Sequence, residues 1–375
     1  MLLRTFGCVR AVYNRALDER ETAWRDRGER LRYVDLSKRL PTWKFEWPWL
    51  AEVSSVPVQQ ALRHLEAAYT RFFRRLGHMP RFKTRRDPQS ATFTKTAFSW
   101  RSGQLTLARM QEPLAIRWSR ELRGAPSSVV ISLDAAGRWH VTFRIEVDPP
   151  APPTPVRSAL GIDLGLSTLA VSSDGAAVIN PRWLRRGQHR LRRAQRALAR
   201  KQKGSKNRDK ARRAVARLHV RVGDARRDHH HKLSTRWIRE NQAIYVETLN
   251  VRGIARTRLA RSVYDAAWGS LLAMLRYKAA WYGREFVAID RFFPSTRACS
   301  CCGIVGPKRA LNVRRWTCDA CGVTHDRDAN ASQNILAAGH AVRAGLDSRR
   351  WPVEGTSDAP GSSRGAAPAK QELVA

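Results

Sequence analysis

The chain has 375 residues, room for two or three domains that each bury a core. Lys and Arg outnumber Asp and Glu 69 to 32, a formal charge of +37 with a pI near 11.4. That charge repels itself in a compact chain unless a polyanion neutralises it, and the commonest such partner is nucleic acid. No apolar run approaches membrane-spanning length and the first residues do not read as a signal peptide, so a cytoplasmic, nucleoid-associated protein is expected.

Residues 1–79 read as helical. Val9, Val12, Tyr13, Ala16 and Leu17 fall at helical spacing within Phe6 to Arg25. A second helix opens near Val56-Pro57-Val58, where proline suits the first turn, and runs to Phe73. Residues 80–150 change period. Ala91 to Phe98, Gln104 to Leu107, Leu114 to Trp118, Ser127 to Leu133 and Trp139 to Val147 read as strands separated by turn signals such as Asp134-Ala-Ala-Gly137. A small β-barrel would protect so many short edges. Residues 151–158, rich in proline, read as a linker.

From residue 159 to 294 the pattern is strand, hairpin, long helices, strand, helix, strand. Ala159 to Asp163, Thr168 to Ser172 and Ala176 to Ile179 are the opening strands. Arg182 to Asn241 is a pair of long basic helices broken at Gly204-Ser205, and Ile244 to Glu247 is a short buried strand. Ser262 starts a helix with Asp265 as its capping partner, and Phe286 to Ile289 closes the sheet. A cysteine-bearing insert occupies 295–325, a last helix 326–345, and a Pro-, Gly- and Ser-rich tail 346–375 is expected to lack order.

The insert carries two C-x-x-C pairs, Cys299/Cys302 and Cys318/Cys321, with fifteen residues between them. Four thiolates at this spacing can surround one tetrahedral Zn²⁺. A glycine follows Cys302 and another follows Cys321, as a tight turn of positive φ requires. That register leaves Cys301 as a bystander.

Three acids attract notice in so basic a chain. Asp163 ends an apolar strand in Gly161-Ile-Asp-Leu-Gly165, Glu247 ends another, and Asp328 opens the last helix. A ribonuclease H-like sheet brings a carboxylate from its first strand, one from its fourth and one from a late helix to a single point. Two Mg²⁺ or Mn²⁺ ions about 4 Å apart could there drive phosphodiester hydrolysis. Taken singly, an Asp before a Gly turn also reads as a turn residue, and an Asp opening a helix as an N-cap. The segment from Arg182 to Arg236 holds about twenty Lys and Arg against three acids. Arg200, Lys201, Lys203, Lys206, Arg208, Lys210, Arg212 and Arg213 are its candidate nucleic-acid contacts. His229-His-His231, within the same segment, reads as a surface run.

These motifs together resemble the TnpB (OrfB) family of bacterial insertion sequences, RuvC-fold nucleases related to the type V CRISPR effectors. The resemblance rests on Gly161-Ile-Asp-Leu-Gly-Leu166, Arg200-Lys-Gln-Lys-Gly-Ser-Lys-Asn207, Val246-Glu-Thr-Leu-Asn-Val251 and Pro294-Ser-Thr. It rests also on the two cysteine pairs, on His325-Asp-Arg-Asp-Ala-Asn-Ala331 and on Asn334-Ile335, with weaker support from Gly7 to Asn14 and Pro80 to Lys83. It implies an α/β nuclease domain with an inserted zinc ribbon, preceded by a wedge β-barrel that carries a helical insert. It also implies an RNA-guided DNA endonuclease (often named a transposase) that takes its guide RNA from its own element and cuts double-stranded DNA. The family's catalytic carboxylates fall on Asp163, Glu247 and Asp328, the last preferred over Asp326 because it directly precedes Ala-Asn-Ala. The alternatives are a binder that does not cut and a zinc-ribbon DNA-binding protein with no guide. Family members usually begin with a short barrel strand that has no counterpart before Gly7 here, so an unpaired barrel edge is expected, with either a true start upstream or a decaying, inactive copy.

Overall fold

The computed structural model describes residues 1–119, 121–148, 158–310, 312–345 and 371–374. All but the last residue of the expected linker, and most of the tail, lie outside them. The chain opens with the helix Leu2–Arg27 (α1), whose buried stripe contains the apolar residues read from the sequence. Gly28, at φ 63°, ends it in the left-handed turn that glycine takes without strain. Two short helices, Tyr33–Lys38 (α2) and Leu40–Glu46 (α3), lead to Ser55–Phe73 (α4). Ser54 Oγ caps α4 by accepting from the Val56 N–H, and Pro57 stands in its first turn. Strands Gln89–Thr94 (β1), Phe98–Arg101 (β2), Gln104–Leu107 (β3), Pro126–Leu133 (β4) and Trp139–Ile145 (β5) follow.

The next part runs Ala159–Leu164 (β6), Thr168–Ser172 (β7), Ala177–Ile179 (β8), Trp183–Ala199 (α5) and Lys206–Glu240 (α6). It continues through Ala243–Glu247 (β9), Val251–Ile254 (α7), Ala260–Ala266 (α8), Trp268–Trp281 (α9) and Glu285–Ile289 (β10). Arg315–Thr317 (β11), Thr324–Asp326 (β12), Arg327–Arg343 (α10) and Gln371–Val374 (β13) complete it. No helix among the described residues is long and apolar enough to cross a membrane.

The chain divides into two compact units, residues 1–148 with 212–217 and the C-terminal strand, and the remainder. In the first, β1, β4, β5 and β13 form a four-stranded sheet, and β2 and β3 pair as a separate hairpin. α1 and α4 share one core with these strands through residues such as Val12, Leu62, Phe93 and Ile131. Asn14 on α1 exchanges two hydrogen bonds with the Lys83 backbone, at 2.9 and 2.7 Å, which joins the two halves of the weaker N-terminal motif.

Two expectations change here, the strand at Leu114 to Trp118 and the lack of order throughout the tail. Leu114 to Trp118 is not a strand; its contribution is one bond from the Leu114 N–H to the Leu105 carbonyl at 2.7 Å. Among the described residues the strands pair as a four-stranded sheet and a separate hairpin, and β1 has no strand partner on its outer edge. The outer edge of β5 is paired, because β13 lies antiparallel to it with Leu373 opposite Phe143. The end of the tail therefore adopts strand structure, since a free edge offers unpaired N–H and C=O groups to any extended segment that reaches it.

The second unit is built on a five-stranded sheet in the order β10-β9-β6-β7-β8. β6 pairs in parallel with β9 and β9 with β10, whereas β7 runs antiparallel to both of its neighbours. The first and fourth strands of the unit are thus neighbours, as the ribonuclease H-like expectation requires. α10 packs across the sheet at two glycines. A Cβ on Gly161 would stand 2.3 Å from the Ser332 carbonyl oxygen, and one on Gly339 would stand 2.1 Å from the Tyr245 ring. Only glycine at both places lets the helix lie this close to β6 and β9.

Candidate active site and metal centre

Register and close packing together build the acidic cluster. Parallel pairing sets Ile162 beside Val246, so Asp163 and Glu247, one residue on, leave adjacent strands side by side. Thr248 Oγ1 donates to the Ile289 carbonyl at 2.7 Å and fixes the chain leaving Glu247. The approach of α10 to Gly161 brings its first turn, with Asp328, to the same edge. Burial first, then the charges of Glu247 and Asp328, push the Asp163 carboxyl well above the usual carboxylate range. Burial also raises Glu247, partly offset by a hydrogen bond from Asp163. Asp163 and Glu247, buried side by side, do not both stay ionised without a compensating cation.

Asp326 has a different task. It is the N-cap of α10, where its side chain accepts from the N–H groups of Asp328 and Ala329, both at 3.1 Å. Asp328 instead projects to the Arg314 guanidinium, whose Nη1 lies 3.0 and 3.1 Å from its two oxygens. Arg314 Nη2 also donates to Ser167 Oγ at 3.3 Å, in the turn after Asp163. Sequence reasoning missed this arginine, one of many in the chain and without a motif of its own.

The cysteine insert forms a second centre. The Sγ atoms of Cys299, Cys302, Cys318 and Cys321 lie within 4.8 Å of one another, and Cys301 stands outside the group and exposed. Cys299–Cys321 and Cys302–Cys318 measure 3.6 and 3.7 Å. A tetrahedron of sulfurs at Zn–S bonds of about 2.3 Å has edges of about 3.8 Å, so the donor set fits that ion. Each pair sits on a knuckle closed by a glycine: Gly303 N–H reaches the Cys299 carbonyl at 2.9 Å, and Gly322 N–H the Cys318 carbonyl at 2.8 Å. Gly303 and Gly322 take φ of 74° and 73°, the strained region for other residues. Backbone N–H groups of Cys321 and Ala320 hold the Cys318 thiol down at about 7, whereas Cys321, despite the Val323 N–H, is pushed up to about 12 by burial and its sulfur neighbours. His325 Nε2 lies 3.0 Å from Cys299 Sγ, a contact the spacing argument did not include.

The two centres are tied by buried amides. Asn330 and Asn334 Nδ2 donate to the Ala298 carbonyl at 2.8 and 2.7 Å, and Ser300 N–H returns a bond to Asn330 Oδ1 at 2.9 Å. These bonds give the Asn residues of the last motif a physical role, clamping the start of the insert onto α10.

The basic helices form as expected, with Ser205 Oγ capping α6 by accepting from the Arg208 N–H. Arg208 spends its guanidinium on the carbonyls of Leu198 and Lys201, at 3.2 and 2.7 Å, and so finishes α5. Arg200, Lys201, Lys203 and Lys210 are exposed, while Lys206, Arg212 and Arg213 are half-buried or exposed along α6. His230 departs from the surface reading: it is 2% exposed, and burial together with neighbouring His229 and Arg226 lowers it to about 4. Asp265 also departs from expectation, because its oxygens accept from the N–H groups of Leu184 and Arg185 on α5, at 2.8 and 3.0 Å, and not from its own helix.

Comparison with known proteins adds three family matches. Residues 142–258 match OrfB_IS605, described as "Probable transposase"; 268–335 match the Cas12f1-like TNB domain; and 1–29 match a helix-turn-helix domain of OrfB_IS605. A Streptomyces pristinaespiralis protein, provisionally named an RNA-guided DNA endonuclease, is 53% identical over 92% of this chain and 86% of its own length. InsQ of Escherichia coli K12, under the same provisional name, is 31% identical over 91% of this chain and 89% of its own. A cryo-EM structure of a Cas12f1–sgRNA–target DNA complex shares the fold, with a TM-score of 0.55 at 12% identity over 89% of this chain and 82% of that one.

Proposed function

This chain belongs to the TnpB (OrfB) family, and on that footing we propose that it is an RNA-guided, divalent-metal-dependent DNA endonuclease of a transposable element. The observation that carries the chemistry is the crowding of Asp163, Glu247 and Asp328 at one edge of the sheet, with Asp163 and Glu247 both raised by burial. Those acids are the hard oxygen donors for Mg²⁺ or Mn²⁺, which when bound supplies an activated water and stabilises the leaving oxygen. The chain's own part is to hold them. Asp163 and Glu247 leave adjacent strands side by side, and the two-oxygen contact of Arg314 with Asp328 aims that carboxylate at the same edge. The four cysteines take Zn²⁺ as a structural ion, because all four positions are filled by protein sulfur and none is left open for a substrate.

The basic helices α5 and α6 hold nucleic acid through its backbone, and base pairing with a guide RNA from the protein's own element supplies the sequence. Lys201, Lys203, Lys206 and Lys210, with Arg200, Arg212 and Arg213, are the contacts we assign. The test uses Asp163→Ala and Glu247→Ala proteins loaded with guide RNA. Each should lose guided cutting by at least about a thousandfold while binding target DNA within about twofold of wild type, since binding rests on many cationic contacts. Full cutting by either variant removes that acid from the site.

A further inference from the structure

We propose that an arginine-lined cavity beside the acids is a phosphate subsite that seats the DNA strand next to the bond being cut. The proposal rests on the nuclease reading and adds to it where the substrate is held. In the five-stranded sheet β6, β8, β9 and β10 run the same way, and β7 runs opposite. One edge of the sheet therefore presents, in order, Glu247, Asp163, the β6–β7 turn and Asn180 after β8. Neighbouring strands are about 4.8 Å apart, which sets the end of β8 about 10 Å from that of β6.

At that end lies a cavity of about 740 Å³, within the range of small-ligand pockets and large enough for a nucleotide. Its wall shares Leu166 and Ser167 with the turn that follows Asp163, and Ser167 is the residue that Arg314 links to Asp328. Four arginines line it, Arg182, Arg185, Arg258 and Arg261, and the Gln188 amide oxygen in the same wall accepts from the Arg261 guanidinium at 3.1 Å. Asp265, the single acid of the wall, is buried and has both oxygens committed to the start of α5. Asn180 is committed as well, donating to the Leu166 carbonyl and accepting from the Arg182 N–H, at 2.9 and 3.1 Å. Among the described residues no carboxylate forms an ion pair with any of the four arginines. The cavity thus carries four positive charges against one, in forks whose geometry matches phosphate. DNA and guide RNA share that chemistry. The place of the cavity, two strands along the edge from Asp163, favours the strand being cut.

The test compares guide-loaded wild type with an Arg258→Gln/Arg261→Gln variant, both positions being exposed. Single-turnover cutting is followed over a series of target-DNA concentrations and at several salt concentrations. The variant should need about tenfold more DNA for half-maximal rate, and its log–log salt slope should fall by about two, one per phosphate contact. Guide RNA should be retained equally, and Arg258→Lys/Arg261→Lys should restore the salt slope but only part of the affinity, because an ammonium keeps the charge and loses the fork. DNA dependence equal to that of an active wild type overturns the subsite alone. Loss of guide RNA with unchanged DNA dependence assigns the cavity to the guide and also overturns it. A wild type that does not cut guided DNA overturns the nuclease reading, and this proposal with it.

Discussion

Cys301 and Cys302 are neighbours in the chain, yet only Cys302 joins the sulfur cluster, because Gly303 turns the knuckle directly after it. One Zn²⁺ per chain is expected. Cys301→Ser should retain it and Cys302→Ser should lose most of it, read by metal analysis of the purified proteins; equal loss in both would place the ligands wrongly. This register was legible because glycine after a C-x-x-C pair has few other uses. The choice of Asp328 over Asp326 was less so, since both acids open the helix, and only the hydrogen bonds separate a cap from a carboxylate facing the sheet edge. His230 could not be read at all: three consecutive histidines on a basic helix look solvated, and burial of the middle one is set by packing. Its consequence is a pH effect. His230 is held neutral in the fold, at about 4 against about 6.5 when unfolded, so the unfolded chain binds the proton more readily. The contribution is intact above pH 6.5 and is lost as the pH falls toward 4. Thermal melts of wild type should therefore steepen in their acid dependence over that window relative to His230→Gln. Parallel curves for the two proteins would contradict it.

Among elements, α10 matters most, because it carries Asp328 and holds the cysteine insert through Asn330 and Asn334. Its closeness to β6 depends on Gly161. In Gly161→Ala the new Cβ meets backbone atoms that cannot swing aside, at 2.3 Å from the Ser332 oxygen and 2.6 Å from the Leu336 nitrogen. Overpacking of this kind costs about 1–3 kcal/mol, and a shift of about 1 Å at Asp328 costs about a hundredfold in rate. The variant should melt lower and cut guided DNA far more slowly; wild-type cutting would show that α10 does not set the site. Helix and strand periods made most elements of the second unit readable, including the break between α5 and α6. The first unit was harder. Its expected barrel depends on which short strands find partners, and Leu114 to Trp118, apolar enough to be a strand, pairs through a single bond. The partner of the β5 edge was unreadable for the same reason, since β13 lies over two hundred residues further along the chain. Asp265 likewise caps a helix start some eighty residues away.

For the whole molecule the governing quantity is the charge of +37. It foretold a polyanionic partner without specifying which, and only the family match and the acid edge narrow it to an RNA-guided nuclease on DNA. The central claim is that base pairing with a bound RNA decides where this protein cuts. The direct measurement loads the purified chain with an RNA whose guide segment is then exchanged, and maps the cut on two DNA targets in Mg²⁺. The account predicts that the cut moves to the target matching the new guide, and that chelation of the metal abolishes it on both. Cutting at the same place whichever guide is loaded, or unabated cutting without divalent metal, would contradict it.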